Sequence, residues 1–269
     1  MNSAPQQYIQ SEREQIREEY NKRIAPILGA QVVDAVDILV KACSEALQKK
    51  EKDKTGDSAF SMLLRQSTPE EIYDSIRTLV VRFVVLLFAE ERELLPVDNE
   101  DYQHSFSLVY FAEQLRNEPP LLRKGGLSGF EQIMSMMRGI YAGIEEGGVS
   151  LFPHAGRLFH HDQAPIFIDE FAVDISDESL HSIFMKLRYI GEEKIDYSNL
   201  YVENLGSMYE LLMELHIEQD NGISLSRAKL RKDTGAHYTP RYLCDFIVSE
   251  SLARRLSYNP TSDEILELK

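Results

Sequence analysis

Hydrophobic positions recur along most of this chain at three- and four-residue intervals, the period of a helix that buries one face. From Tyr8 to Lys22 charged residues dominate and apolar ones are few, which predicts a solvated helix. From Ile27 to Lys50 the series Val32, Val36, Leu39, Val40 and Leu47 predicts a second helix, closed by lysines. The polar run EKDKTGDS, Glu51 to Ser58, then reads as a linker. Pro69, Glu70 and Glu71 suit a first helical turn, where proline loses no hydrogen bond and acids face the positive end of the helix dipole. That helix is expected to run to about Leu95 and stop at Pro96. Its Ile72, Ile76, Leu79, Val80, Phe83, Val84, Leu87 and Phe88 cover nearly the whole circumference, the mark of a helix at the centre of a bundle.

Further on, Leu108 to Leu115 predicts a short helix stopped by Pro119–Pro120. Ser128 with Glu131 forms a capping-box pattern, so a helix should start there and run to about Glu146, ended by Gly147–Gly148. Val149 to Phe167 reads as an irregular loop, and Ser176 as the cap of a helix to about Tyr189. Leu205, Met208, Leu212 and Leu215 would share one face of another helix. No internal repeat is visible, and nothing resembles a βαβ unit before the last few residues. The expected fold class is mainly α, a multi-helical bundle.

Length and composition narrow this only slightly. A chain of 269 residues can hold one large domain or two ordinary ones, and 43% hydrophobic residues suffice for a core. No stretch approaches the roughly twenty apolar residues of a spanning helix; the best, Leu79 to Ala89, is broken by Arg82. The opening MNSAPQQYIQSERE lacks a basic start and an apolar stretch, so no secretion signal is expected and a cytoplasmic location is. Cys43 and Cys244, alone and far apart, predict neither a disulfide framework nor a cysteine zinc site. The net charge of −15 changes the picture more. Nucleic-acid affinity comes largely from neutralising phosphates, so this chain can bind DNA only through a locally basic patch.

The densest basic cluster is SRAKLRK, with Arg227, Lys229, Arg231 and Lys232. It reads either as phosphate contacts for DNA or as a solvated turn with ordinary surface charges. It leads into DTGAHYTPRYLCDFIVSESLARRL, Asp233 to Leu256. There Gly235 allows a turn, and Thr239–Pro240 makes a strong helix start, a hydroxyl cap followed by proline at the first helical position. The exposed N–H groups of such a helix start suit a carboxylate or phosphate, although most capped helices bind nothing.

TGAHYTP resembles the TGxxYTP element that precedes the S-adenosylmethionine loop of adenine-N6 DNA methyltransferases, including fused type II restriction–modification enzymes and related phage-defence proteins. Upstream, IDYSNLYVENLGSMYELLMEL resembles the family's VDYxxLxxxxLGxxYExLL stretch, and LLFAEERELLP and AGRLF resemble elements of its helical region. The blocks are scattered over Leu79 to Lys269, and His237 stands where the family usually has an aromatic residue. The resemblance implies a helical N-terminal region, residues 1–200, followed at 201–269 by the start of a methyltransferase domain, its opening helix and the first strand of a Rossmann-like sheet, with EILELK beginning that strand. It implies that Thr234, Gly235, Tyr238, Thr239 and Pro240 line the methionine end of S-adenosylmethionine, with Tyr238 packed beside the cofactor. In the family a DPACGSG-type loop then holds the cofactor and an NPPY-type motif grips a flipped-out adenine. Neither motif occurs in these 269 residues. The chain is therefore expected to contribute one wall of the cofactor site, to bind S-adenosylmethionine weakly or not at all alone, to carry no catalytic residue, and to be inactive by itself. The rest of the domain would come from the same or another chain, DNA would be a partner of the complete enzyme, and exposed apolar surface would favour self-association. The alternative is an acidic helical module that binds protein partners and meets neither DNA nor cofactor.

Three further constellations are weighed against chemistry. A nuclease would need an Asp and a Glu-x-Lys pair on adjacent strands to hold a metal. Glu192 with Lys194 and Glu267 with Lys269 fit the short pattern, without a partner Asp on a preceding strand. His154, His160 and His161 invite a zinc site, but adjacent histidines rarely serve one ion and no thiolate or well-spaced carboxylate completes a set, so no metal is expected. Met134, Met136 and Met137 read as core filler on a buried helix.

Overall fold

The computed structural model describes residues 4–48, 59–117, 128–146, 148–151, 153, 156–167, 175–219, 222–227 and 241–253. The chain divides into two compact units, Met1–Arg231 and Lys232–Lys269. The protein is mainly helical, and its described strands form three separate two-stranded antiparallel hairpins. No helix among the described residues is long and apolar enough to cross a membrane.

In the first unit, α1 (Ala4–Gln48) runs as one helix through Pro26, in place of the two that the apolar pattern predicts. Proline removes one intrahelical hydrogen bond. Ile24 and Leu28, one turn apart on either side of it, are both fully buried, so packing holds the helix through the break. A short helix, α2 (Ala59–Gln66), follows and buries Phe60 and Leu64. The central helix is α3 (Pro69–Glu91). Thr68 caps it through a reciprocal box with Glu71, the amide of each donating to the other's side-chain oxygen. Its burial runs round the whole surface, as the apolar pattern requires, and it packs against α1. It ends four residues before Leu95, because the chain turns at Arg92 and Glu93 takes a left-handed φ of 56°.

Two small helices follow, α4 (Glu100–Phe106), capped by Asn99, and α5 (Leu108–Asn117). Ser128 and Glu131 form the expected capping box on α6 (Gly129–Ala142), whose Met134, Met136 and Met137 are all buried. This helix stops four residues short of Glu146. Gly143 has φ 87°, and a side chain there would meet the Leu151 carbonyl and the Pro153 ring at 3.0 Å. Ile144–Glu146, expected as the end of this helix, is instead β1, and the described part of the loop expected over Val149 to Phe167 is partly regular: β2 (Val149–Leu151) pairs with β1, and three single 3-10 turns follow. Ser176 caps α7 (Asp177–Arg188), which packs along α1. β3 (Tyr189–Ile190) and β4 (Glu193–Lys194) form the second hairpin.

α8 (Val202–Met213) ends before Leu215. Leu215 fits the helical face by spacing, but it opens β5 (Leu215–Gln219), paired with β6 (Ile223–Arg227). Alternation decides this, since Leu215 and Ile217 turn inward while Glu218 stays exposed. The second unit contains α9 (Arg241–Ala253), which starts one residue after Pro240.

Candidate functional site

The polar interior of the first unit is concentrated at the C-terminal half of α3. Glu90 is 2% exposed, yet its carboxylate accepts hydrogen bonds from Ser107 Oγ (2.7 Å), the amides of Leu108 (2.7 Å) and Val109 (2.9 Å), and Tyr102 Oη (3.3 Å). It therefore caps the N-terminus of α5 with an anion, where the helix dipole favours one. Burial raises the Glu90 pKa above the ordinary carboxylate value, and the four donors oppose that rise without cancelling it. Glu91 binds the opposite way. One oxygen takes the fully buried Arg188 guanidinium at 2.5 Å and the other the Tyr197 amide at 2.7 Å. Glu113 and Lys194 pair at 2.9 Å beside this bridge. Arg92 donates to the carbonyl of Leu200.

From the other side, α1 reaches the same segment. Asn21 Nδ2 donates to the carbonyls of Arg17 and Asn199, while its Oδ1 accepts from the Tyr201 amide and Asn204 Nδ2. Asp196 folds the turn between, accepting from Ser198 and Asn199; burial raises its pKa, but these hydrogen bonds carry it below the ordinary value. The blocks AEERELLP and IDYSNL thus meet in one hydrogen-bonded framework, while LGSMYELLMEL is tied to the start of α3 through Tyr73 and Arg77. The AGRLF block is held to α3 separately, by Arg82, whose Nε donates to the Leu158 carbonyl (2.8 Å) and Nη2 to that of His160 (2.7 Å). Burial of Arg82 lowers its pKa to about 10.

That grip shapes the 3-10 turns at 157–163. His160 and His161 stack with ring centroids 4.3 Å apart, and Asp162 reaches both. Its carboxylate lies 3.3 Å from His160 Nδ1 and 2.7 Å from His161 Nε2. Among the described residues these three form a group able to hold a metal ion, their ligand atoms within 4.8 Å of one another. Sequence spacing alone argues against the two histidines sharing an ion, and His154 lies outside the described residues.

A cleft of about 370 Å³ opens between α3 and β5, lined by Tyr73, Asp74, Arg77, Met213, His216 and Ile217 among others. Burial raises the Tyr73 pKa, and its hydroxyl donates to the Leu212 carbonyl. Beside the cleft, α8 carries two apolar stripes. Met208 and Leu212 face the core, whereas Val202, Tyr209 and Met213 are 40% to 55% exposed on the outer face.

The residues expected to touch S-adenosylmethionine, Thr234, Gly235, Tyr238, Thr239 and Pro240, lie outside the described residues, as do Lys229, Arg231 and Lys232. Of the basic cluster, Arg227 is described: it is exposed at the end of β6, opposite Leu215. Of the two nuclease-like pairs, Glu192 pairs with Arg116 and Lys194 with Glu113, so their partners are cations and acids of neighbouring elements; Glu267 and Lys269 lie outside the described residues. The arrangement defines a helical unit built round one central helix. No protein-family model, curated protein or solved structure matches the chain.

Proposed function

We propose that this chain is the helical N-terminal part of an adenine-N6 DNA methyltransferase of the restriction–modification type, contributing one wall of the S-adenosylmethionine site. The observation that carries the reading is TGAHYTP at 234–240, following LGSMYELLMEL at 205–215. Support comes from direct contacts among other resembling blocks: Arg92 donates to the Leu200 carbonyl and the Tyr197 amide to Glu91, while Arg82 of the same helix holds Leu158 of AGRLF. In this reading α9 is the opening helix of the methyltransferase domain, residues 264–269 begin the first strand of a Rossmann-like sheet, and Thr234 to Pro240 face the methionine end of the cofactor. S-Adenosylmethionine supplies the methyl group, and this chain's residues orient its amino-acid end. The loop and the adenine-gripping motif are supplied by further residues of the same polypeptide or by a second chain. Arg227, Lys229, Arg231 and Lys232 meet DNA phosphates.

The test uses the longest product of the gene, together with its neighbours' products. Tritiated methyl groups should pass from S-adenosylmethionine to unmethylated DNA as N6-methyladenine, and Tyr238→Ala should raise the KM for the cofactor. Neutralising the four basic residues should flatten the logarithmic salt dependence of DNA binding by about 0.9 for each phosphate no longer neutralised. A reading frame and neighbourhood without a DPACGSG-like loop and an NPPY-like motif would sink the proposal.

A second reading has its own support. The outer stripe of α8 is apolar; Glu203 and Glu210 adjoin it in sequence, and the neighbouring cleft carries Glu70 and Asp74 together with Arg77, which pairs with Asp74 and packs on Tyr209 and Met213, in a chain of net charge −15. Such a surface suits a cationic amphipathic segment of a protein partner, its apolar anchor in the cleft. If this reading holds instead, Tyr209→Ser with Met213→Ser should abolish capture of a lysine-rich amphipathic peptide, and no methyl transfer should be found.

A further inference from the structure

We propose that His160, His161 and Asp162 form a binding site for one divalent transition ion of the zinc, cobalt and nickel class. This site stands independently of the methyltransferase reading. Consecutive histidine side chains usually diverge, which keeps them from sharing an ion. Here His160 has extended backbone, φ −63° and ψ 137°, between two 3-10 turns, and the rings come to lie side by side at an interplanar angle of 28°. Asp162 sits against both.

Metal bonds of about 2.0–2.2 Å put neighbouring ligand atoms about 3.0–3.5 Å apart. Asp162 Oδ2 lies 3.3 Å from His160 Nδ1, inside that range. Its Oδ1 lies 2.7 Å from His161 Nε2, a hydrogen-bond distance that opens by a few tenths of an ångström when an ion replaces the proton, and the Asp162 amide gives up its contact with His160 Nδ1. The remaining separation, bounded by 4.8 Å, closes by rotation of His161, whose side chain is 67% exposed.

The backbone is fixed in advance. Arg82 directs both of its donated hydrogen bonds to this turn, at Leu158 and His160, from inside the core. The Tyr141 ring stands edge-on to His160 at 5.4 Å and 84°, restricting that imidazole. A turn held this firmly loses less freedom when an ion binds, and the open side admits both the ion and its remaining waters. Imidazole nitrogen selects zinc, cobalt, nickel or copper over magnesium and calcium, which prefer all-oxygen sets. Two nitrogens and one carboxylate leave coordination positions for water, as open sites do.

The experiment is a titration of the untagged full chain, stripped with chelator, with Co²⁺ followed by visible absorption and with Zn²⁺ followed by calorimetry. One ion per chain is expected, with binding that weakens as the pH is lowered, because protons compete for the imidazole nitrogens. His161→Gln and Asp162→Asn remove exposed side chains, and circular dichroism will verify that both variants stay folded. Each should weaken binding at least about tenfold, the lower end of what losing even a supporting partner costs a metal site. Absence of binding at millimolar ion, or affinity unchanged in both variants, overturns the proposal. So does Mg²⁺ competing as well as Zn²⁺.

Discussion

Asn21→Ala tests the framework at its most connected joint. The side chain is 6% exposed and makes four hydrogen bonds, two as donor and two as acceptor. Not all of them are equally hard to replace. The Asn199 carbonyl keeps Arg17 Nε at 3.0 Å, so it stays satisfied. The Tyr201 amide accounts for the larger share, because Asn21 Oδ1 at 2.8 Å is its acceptor at the start of α8. A buried donor left without a partner costs about 1–3 kcal/mol, and each exchanged hydrogen bond about 1 kcal/mol more. The alanine variant should therefore lose about 3 kcal/mol. At about 2–4 °C per kcal/mol for a chain of this size, the midpoint should fall by about 6–12 °C. Asn21→Asp keeps the acceptor toward Tyr201 but points its second oxygen at the Arg17 and Asn199 carbonyls, and should cost at least as much as alanine. Urea unfolding followed by circular dichroism gives the stability, and amide exchange over residues 195–204 gives the location. A loss under about 0.5 kcal/mol in the alanine variant, or an aspartate variant as stable as the parent, would show that the joint is not held as the geometry indicates.

Three other perturbations separate charge, burial and backbone. Glu90 has a raised folded pKa, so its stabilising contribution is complete below the ordinary carboxylate value and is lost as the pH rises through the folded one. The stability of the parent protein should decline over that window while Glu90→Gln lacks this part of the slope; superimposable profiles would refute the assignment. Arg188→Met leaves the half-buried Glu91 with only the Tyr197 amide and the more distant Lys194, and should cost about 3 kcal/mol by urea unfolding, the low end for broken buried pairs because those contacts remain and because Arg188 Nε and Nη2 already lack hydrogen-bond partners. A cost below about 1 kcal/mol would mean the bridge is dispensable. Gly222→Ala places a Cβ 2.8 Å from Ser44 Oγ at φ 148°, and should destabilise by about 1–3 kcal/mol; an unchanged midpoint would show that the hairpin relaxes freely.

Helical character was legible wherever local chemistry and packing agree. Ser128–Glu131 and Ser176 start helices where their side chains cap them, and the all-round apolar surface of α3 marks the centre of the unit. The misses come from signals that compete at short range. Pro26 reads as a break, yet buried Ile24 and Leu28 outweigh it. Leu215 fits a helical face at one spacing and a strand at the next; the alternation through Ile217, with Asn221–Gly222 as a turn signal, was the hint of a hairpin. Asn99 followed by Glu100 and Asp101 likewise announced α4. Of the candidate chemistry, the Asp162 contacts of both histidines could not be read from spacing, because they depend on an arginine 78 residues earlier gripping the turn.

The long first helix also fixes the order in which the molecule can be completed during synthesis. Its hydrogen-bond partners at Asn199 and Leu200 come 182 and 183 residues later. At about 5–20 residues per second, the ribosome leaves that helix waiting for about 10–40 s before they emerge. α2 and α3 emerge early enough to cover part of the helix, but the side that α7 packs along stays open until residues 177–188 are made, which makes the nascent chain a natural client for a holding chaperone.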